Sequence, residues 1–117
     1  MSVNKVMILG RLGADPKEGA SPENPVCFFN VATSDSFTTK DGEKKEEVEW
    51  HRVVVWGKQA EICLKYIRKG WTVFIEGKNK TRSWEDEKSG EKKFMTEVIA
   101  HRVDFSMNPK PQTEASY

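Results

Sequence analysis

Only one stretch of this chain spaces its apolar residues as a helix does: Ala60, Cys63, Leu64 and Ile67 fall at i, i+3, i+4 and i+7 between Lys58 and Lys69. Gly70 follows as the expected C′ cap. The patterned segments on either side alternate with period two or are continuously apolar, which is the signature of strands. Val3 to Leu12 is apolar on both faces, with Val6, Ile8 and Leu12 on one and Val3, Met7 and Leu9 on the other, so it is expected to be buried twice. Asp15 to Pro25, with three prolines, reads as a loop. Val26 to Ser34 is a second strand, and Val48 to Gly57 a third. The polar stretch between them carries Asp41-Gly42, a strong hairpin signal, so these two strands should be antiparallel neighbours.

Beyond the helix, Trp71 to Trp84 turns Val73 and Ile75 inward and places Gly77 where a barrel strand bends sharply. A charged tip with Ser89-Gly90 then leads into a last strand, Lys93 to about Phe105. The order is β-β-β-α-β-β. It predicts an all-β fold with one short helix, a five-stranded OB-fold β-barrel. At 117 residues there is room for one domain, expected at 1–106, followed by a short polar C-terminal tail at 107–117.

Several function classes recede at once. The longest apolar runs, Val26 to Val31 and Val53 to Trp56, fall far short of the roughly 20 residues a membrane helix needs. A patterned strand from Val3 leaves no space for a leader peptide, so a cytoplasmic location is expected. Cys27 and Cys63 form no CxxC and are expected as buried apolar residues; no metal and no cofactor is expected. His51 has no partner at ligand or triad spacing, and no phosphate loop or nucleophile with its base is present, so the chain is not expected to be an enzyme.

The distribution of charge says more than the net value of +1. Lys65, Arg68, Lys69, Lys78, Lys80 and Arg82 face a single acid, Glu76, between Lys65 and Trp84, while acids gather at Asp41 to Glu49 and Glu85 to Glu91. In the third strand, alternation sets Trp50, Arg52, Val54 and Trp56 on one face and His51, Val53 and Val55, the expected core set, on the other. Trp50 and Trp56 then stand about 20 Å apart with Arg52 between them, the span of a few nucleotides. Lys78, Lys80, Arg82 and Trp84 repeat the mixture on the fourth strand, and Phe37, in the loop before the third, extends it. Any base has a face to stack on and any strand has phosphates to neutralise, so aromatics interleaved with cations suit a sequence-tolerant single-strand binder. The competing reading is that Trp50 and Trp56 are core and the lysines an ordinary solvated edge.

Several runs together resemble one known family. They are Val3-Asn4-Lys5-Val6, Leu12-Gly13-Ala14-Asp15-Pro16, Ala32-Thr33-Ser34, Glu49-Trp50-His51-Arg52-Val53-Val54, Arg68-Lys69-Gly70, Ile75-Glu76-Gly77 and Thr81-Arg82-Ser83-Trp84. The family is the bacterial single-stranded-DNA-binding proteins, and the resemblance covers the chain up to about Phe105. It implies sequence-tolerant binding and protection of single-stranded DNA in replication, recombination and repair, without catalysis, by a cytoplasmic, nucleoid-associated homotetramer. The family's stacking aromatics match Phe37, Trp50, Trp56 and Trp84, and its phosphate-binding cations match Arg52, Lys58, Lys69, Lys80 and Arg82. Lys78 joins them from the basic row alone.

Phe37 stands where the family often has tryptophan, and Trp56 where it often has phenylalanine. Trp71 replaces a polar residue and is expected to be structural, covering the helix end. Subunit contacts are expected at Val6, Met7, Ile8 and Leu9 of the doubly apolar strand and, by resemblance, at His51 and Phe74. Replication and repair proteins are expected as partners only where a long acidic tail follows, and none precedes Tyr117. Two alternatives stay open, a primosomal accessory OB protein and an OB module whose tryptophans fill a protein interface.

Overall fold

The computed structural model describes residues 1–21 and 23–109. Its elements are β1 (Val6–Leu12), β2 (Lys17–Glu18), β3 (Val26–Thr38), β4 (Lys44–Trp56), α1 (Lys58–Tyr66), β5 (Thr72–Glu85) and β6 (Lys92–Asp104). The strands run in the order β1-β5-β6-β4-β3-β2, and β1 also pairs with β3, so five of them close into a barrel. All pairings are antiparallel except β4 with β6. This is the OB-type barrel that the element order predicts.

Closure depends on a bend in β5. The β5–β6 register shifts between Glu76 and Gly77, and a Cβ on Gly77 would run into the Ile99 carbonyl, so glycine alone lets the strands cross this closely. Inside the barrel Ile75, Val73, Val53, Val55, Val31 and Cys27 are fully buried. The helix plugs one end with Ala60 and Cys63, and Ile67 follows it into the core. Cys27 and Cys63 are both buried in this core, and the thiol of Cys63 is pushed up first by a hydrogen bond with Cys27 and second by burial. Trp71 lies 6.1 Å from Phe105, which in turn stacks on Tyr66, the last residue of α1, so Trp71 closes over the helix end.

Four expectations need correction. The first strand is not buried twice within one chain: Ile8 and Leu12 enter the core, while Met7 and Leu9 remain 63% and 58% exposed and Val3 precedes the strand. The proline-rich loop contains β2, which pairs Lys17 with Phe28 and Glu18 with Cys27. The hairpin at Asp41-Gly42 is longer than the apolar pattern indicated, because backbone pairing continues through polar residues as far as Thr38 and Lys44. Phe37 therefore sits on a strand opposite Lys45. Finally, α1 stops at Tyr66 with Ile67 extended, so Gly70 lies in a separate turn closed by the Trp71 N–H on the Arg68 carbonyl.

Candidate nucleic-acid interface

β4 carries the outward aromatics of the candidate interface because its period-two alternation splits it over the barrel wall. Val53 and Val55 point inward and are fully buried, while Trp50 and Trp56 point outward and remain 56% and 46% exposed. Val54 shares their face yet is 3% exposed, since Phe28 opposite it on β3 and Ile99 beside it on β6 roof it over. It forms the floor of a groove.

That groove, about 350 Å³, is lined by Phe28, Val54, Trp56, Lys80, Arg82, Glu97 and Ile99. It brings Trp56 of β4 together with Lys80 and Arg82 of β5. Arg52 joins it through Glu97, to whose Oε2 its Nε–H donates at 2.6 Å. Arg82 reaches the same carboxylate at 3.1 Å, and its guanidinium lies 5.1 Å from the centre of the Trp84 ring. Trp84 is 41% exposed further out along β5. Lys78 is exposed on the same face, opposite Ile99.

Trp50 and Phe37 occupy separate places. The outer edge of the Trp50 ring abuts Gly13, where a Cβ would collide with it at 2.5 Å, and the two border a shallow pocket with Ala14 and Asn30. Phe37 is 46% exposed in a depression of the β3–β4 hairpin with Lys44 and Lys45. Lys58 opens α1 and Lys69 lies in the turn beyond it, where the Lys69 N–H donates to Asp15 at 2.8 Å; both are exposed and stand outside the groove.

On the far side, Met7 and Leu9 project from β1, with the half-buried Phe74 directly opposite Leu9 on β5. Leu9, Thr33 and Val48 border a further groove of about 530 Å³, and Thr33 Oγ1 is 2.9 Å from His51 Nε2. Of the residues expected at a subunit contact, Ile8 faces its own core at 5% exposure and Val6 packs against that core, so their side chains are spent within the chain.

Sequence reasoning missed Phe28, Glu97 and Gly13. Phe28 and Phe29 alternate, so one had to face outward, but nothing local says which. Glu97 interrupts the apolar run before Val98-Ile99-Ala100, which was a usable signal, although its partner Arg52 is 45 residues away. Among the described residues no helix is long and apolar enough to cross a membrane.

Comparison with known proteins adds an independent line. Single-stranded DNA-binding protein 1 of Chlorobaculum tepidum is 50% identical over 99 residues, which is 83% of this chain and 60% of that protein. The chain thus spans about 60% of the length of this curated relative. Among solved structures, a Plasmodium falciparum SSB in complex with ssDNA matches with a TM-score of 0.77 at 31% identity, over 89% of this chain and 93% of that one. A deletion mutant of the single-stranded DNA binding protein from Thermus aquaticus matches with a TM-score of 0.75 at 35% identity, over 87% and 49% respectively. The single-strand binding protein family matches residues 3–106. Because that match takes in every strand of the barrel, those bearing the aromatics included, the chain belongs to the single-strand binding protein family.

Proposed function

We propose that this chain binds single-stranded DNA without strong sequence preference and protects it during replication, recombination and repair, catalysing no reaction. Bases stack on Phe37, Trp50, Trp56 and Trp84, and phosphates are met by Arg52, Lys58, Lys69, Lys78, Lys80 and Arg82. The observation that carries this reading is that four large aromatics stand 41% to 56% exposed on a barrel whose core is already filled by other residues. The core does not use these rings, and cations lie beside three of them, Phe37, Trp56 and Trp84. Family membership, and a relative solved with ssDNA, support the same ligand.

Affinity should fall steeply with salt, because each phosphate neutralised on a single strand contributes about 0.7 to the log–log slope. A titration of labelled oligo-dT over a range of salt concentrations measures this. A near-flat line would remove the phosphate contacts from the account. The same titration with duplex DNA and single-stranded RNA defines the ligand class.

Our reading extends to assembly as a homotetramer. A lone barrel leaves Met7 and Leu9 open beside Phe74, with His51 close by behind Thr33, and an apolar strand face of this kind is commonly covered by another copy. Light scattering after gel filtration should give about four times the 13.4 kDa of one chain. A mass near 13.4 kDa at micromolar concentration would overturn it. We further assign DNA binding to residues 1–106, with 107–117 as a tail whose residues 110–117 lie outside the described structure. Replication and repair proteins are partners only through a longer acidic tail, and the setting is cytoplasmic and nucleoid-associated.

A further inference from the structure

Five groups form one connected row across the outer wall of the barrel. The Arg52 guanidinium lies over the Phe28 ring, 4.7 Å from its centre, and its Nε–H donates to Glu97 Oε2. From the other side the Arg82 Nε–H donates to Glu97 Oε1, and the Arg82 guanidinium lies over Trp84. Phe28 comes from β3, Arg52 from β4, Glu97 from β6, and Arg82 and Trp84 from β5, so the row ties together every strand that borders the groove. Glu97 is 6% exposed and is the one buried charged residue among the described residues.

A carboxylate at the floor of a cationic groove needs a physical reason, because a site evolved only to hold phosphates would be weakened by a fixed anion. Arg52, Arg82 and Lys80 bring three positive charges there, and Glu97 cancels one. Burial obliges that carboxylate to stay paired, and each of its oxygens holds one guanidinium by the Nε edge. Arg82 Nη2 donates to Met95 Sδ at 3.6 Å, the Arg52 terminal nitrogens and Arg82 Nη1 are left for a ligand, and both guanidiniums are fixed over rings before any ligand arrives. Beside Glu97 the attraction for phosphate is weakened, although the groove as a whole stays net positive. Flat neutral bases lose nothing by it.

We propose that Glu97 is a positioning residue of the groove: it clamps Arg52 and Arg82 against Phe28 and Trp84 and, as a fixed anion, turns the bases of a bound single strand inward and its phosphates outward. This rests on the single-strand-binding reading above.

The test compares log affinity for oligo-dT against log salt for the wild-type protein, Glu97→Gln and Glu97→Asp. Glu61→Gln serves as an equal charge change on the exposed side of α1. Glu97→Gln removes the anion and frees a guanidinium, so about one more phosphate should be neutralised and the slope should steepen by about 0.7. The lost clamp should weaken binding roughly two- to tenfold at high salt, so its line crosses the wild-type line. Its preference for oligo-dT over an abasic strand of equal length should shrink. Glu97→Asp keeps the charge but is one methylene too short to hold both guanidiniums, so its line should run parallel to wild type and several-fold weaker. Glu61→Gln should coincide with wild type.

A Glu97→Gln line parallel to wild type, with the abasic preference unchanged, would reduce Glu97 to a packing residue and overturn the proposal. If Glu97→Gln does not fold, Glu97→Asp decides: wild-type affinity there, or a changed slope, overturns the clamp. Failure of the wild-type protein to bind either strand would instead overturn the single-strand reading itself.

Discussion

Truncating Ile75 to alanine should remove about 2 to 5 kcal/mol of folding stability while leaving the DNA affinity of the folded protein unchanged. Ile75 is fully buried near the start of β5, opposite Ile8 of β1 and Val103 of β6, and deleting its outer carbons leaves a cavity that a closed barrel cannot collapse to fill. Urea unfolding measures the loss. Binding, measured below the unfolding transition, should match wild type, because Ile75 faces the core and is not among the residues that line the groove. An Ile75→Ala variant as stable as wild type would mean that the register of β5 is shifted by one residue, which would exchange its two faces.

The converse holds at the surface. Trp56→Ala should weaken oligo-dT binding about five- to hundred-and-fifty-fold at a single site, which is the loss of about 1 to 3 kcal/mol of base stacking. Its melting temperature should change little, since 46% of the residue is already exposed and the core beneath is filled by Val53 and Val55. Trp50→Ala should behave alike, its ring resting on Gly13 rather than in the core. Unfolding of Trp56→Ala, together with weakened DNA binding in Val55→Ala, would reverse the assignment of faces.

What was legible in the sequence follows from how local each signal is. The helix was readable because Ala60 and Cys63 meet the barrel from one face of a single short segment, with Ile67 entering the core just past its end. The division of β4 was readable because period two is a property of one strand, and it separated Trp50 and Trp56 from Val53 and Val55 without reference to neighbours. Val54 escaped the pattern since its burial comes from Phe28 and Ile99, residues of other strands. The full length of the β3–β4 hairpin was hidden for a related reason: its outer half is held by backbone hydrogen bonds between polar residues, which leave no hydrophobic trace. Twofold burial of β1 was inferred from apolar residues on both of its alternating faces, and within one chain only its Ile8 and Leu12 face has a core to enter. The Arg52–Glu97–Arg82 bridge joins three strands, and no spacing along the chain encodes it.

The central claim is that exposed tryptophans on the outer wall of the barrel stack on the bases of a single strand. Intrinsic tryptophan fluorescence during titration with oligo-dT tests it most directly, since three of the four tryptophans, Trp50, Trp56 and Trp84, lie on the proposed track. Emission should be strongly quenched by oligo-dT, and far less by the same concentration of duplex DNA, whose bases are already stacked. Emission that stays unchanged as oligo-dT is added would contradict the account and favour a barrel whose aromatics meet another protein.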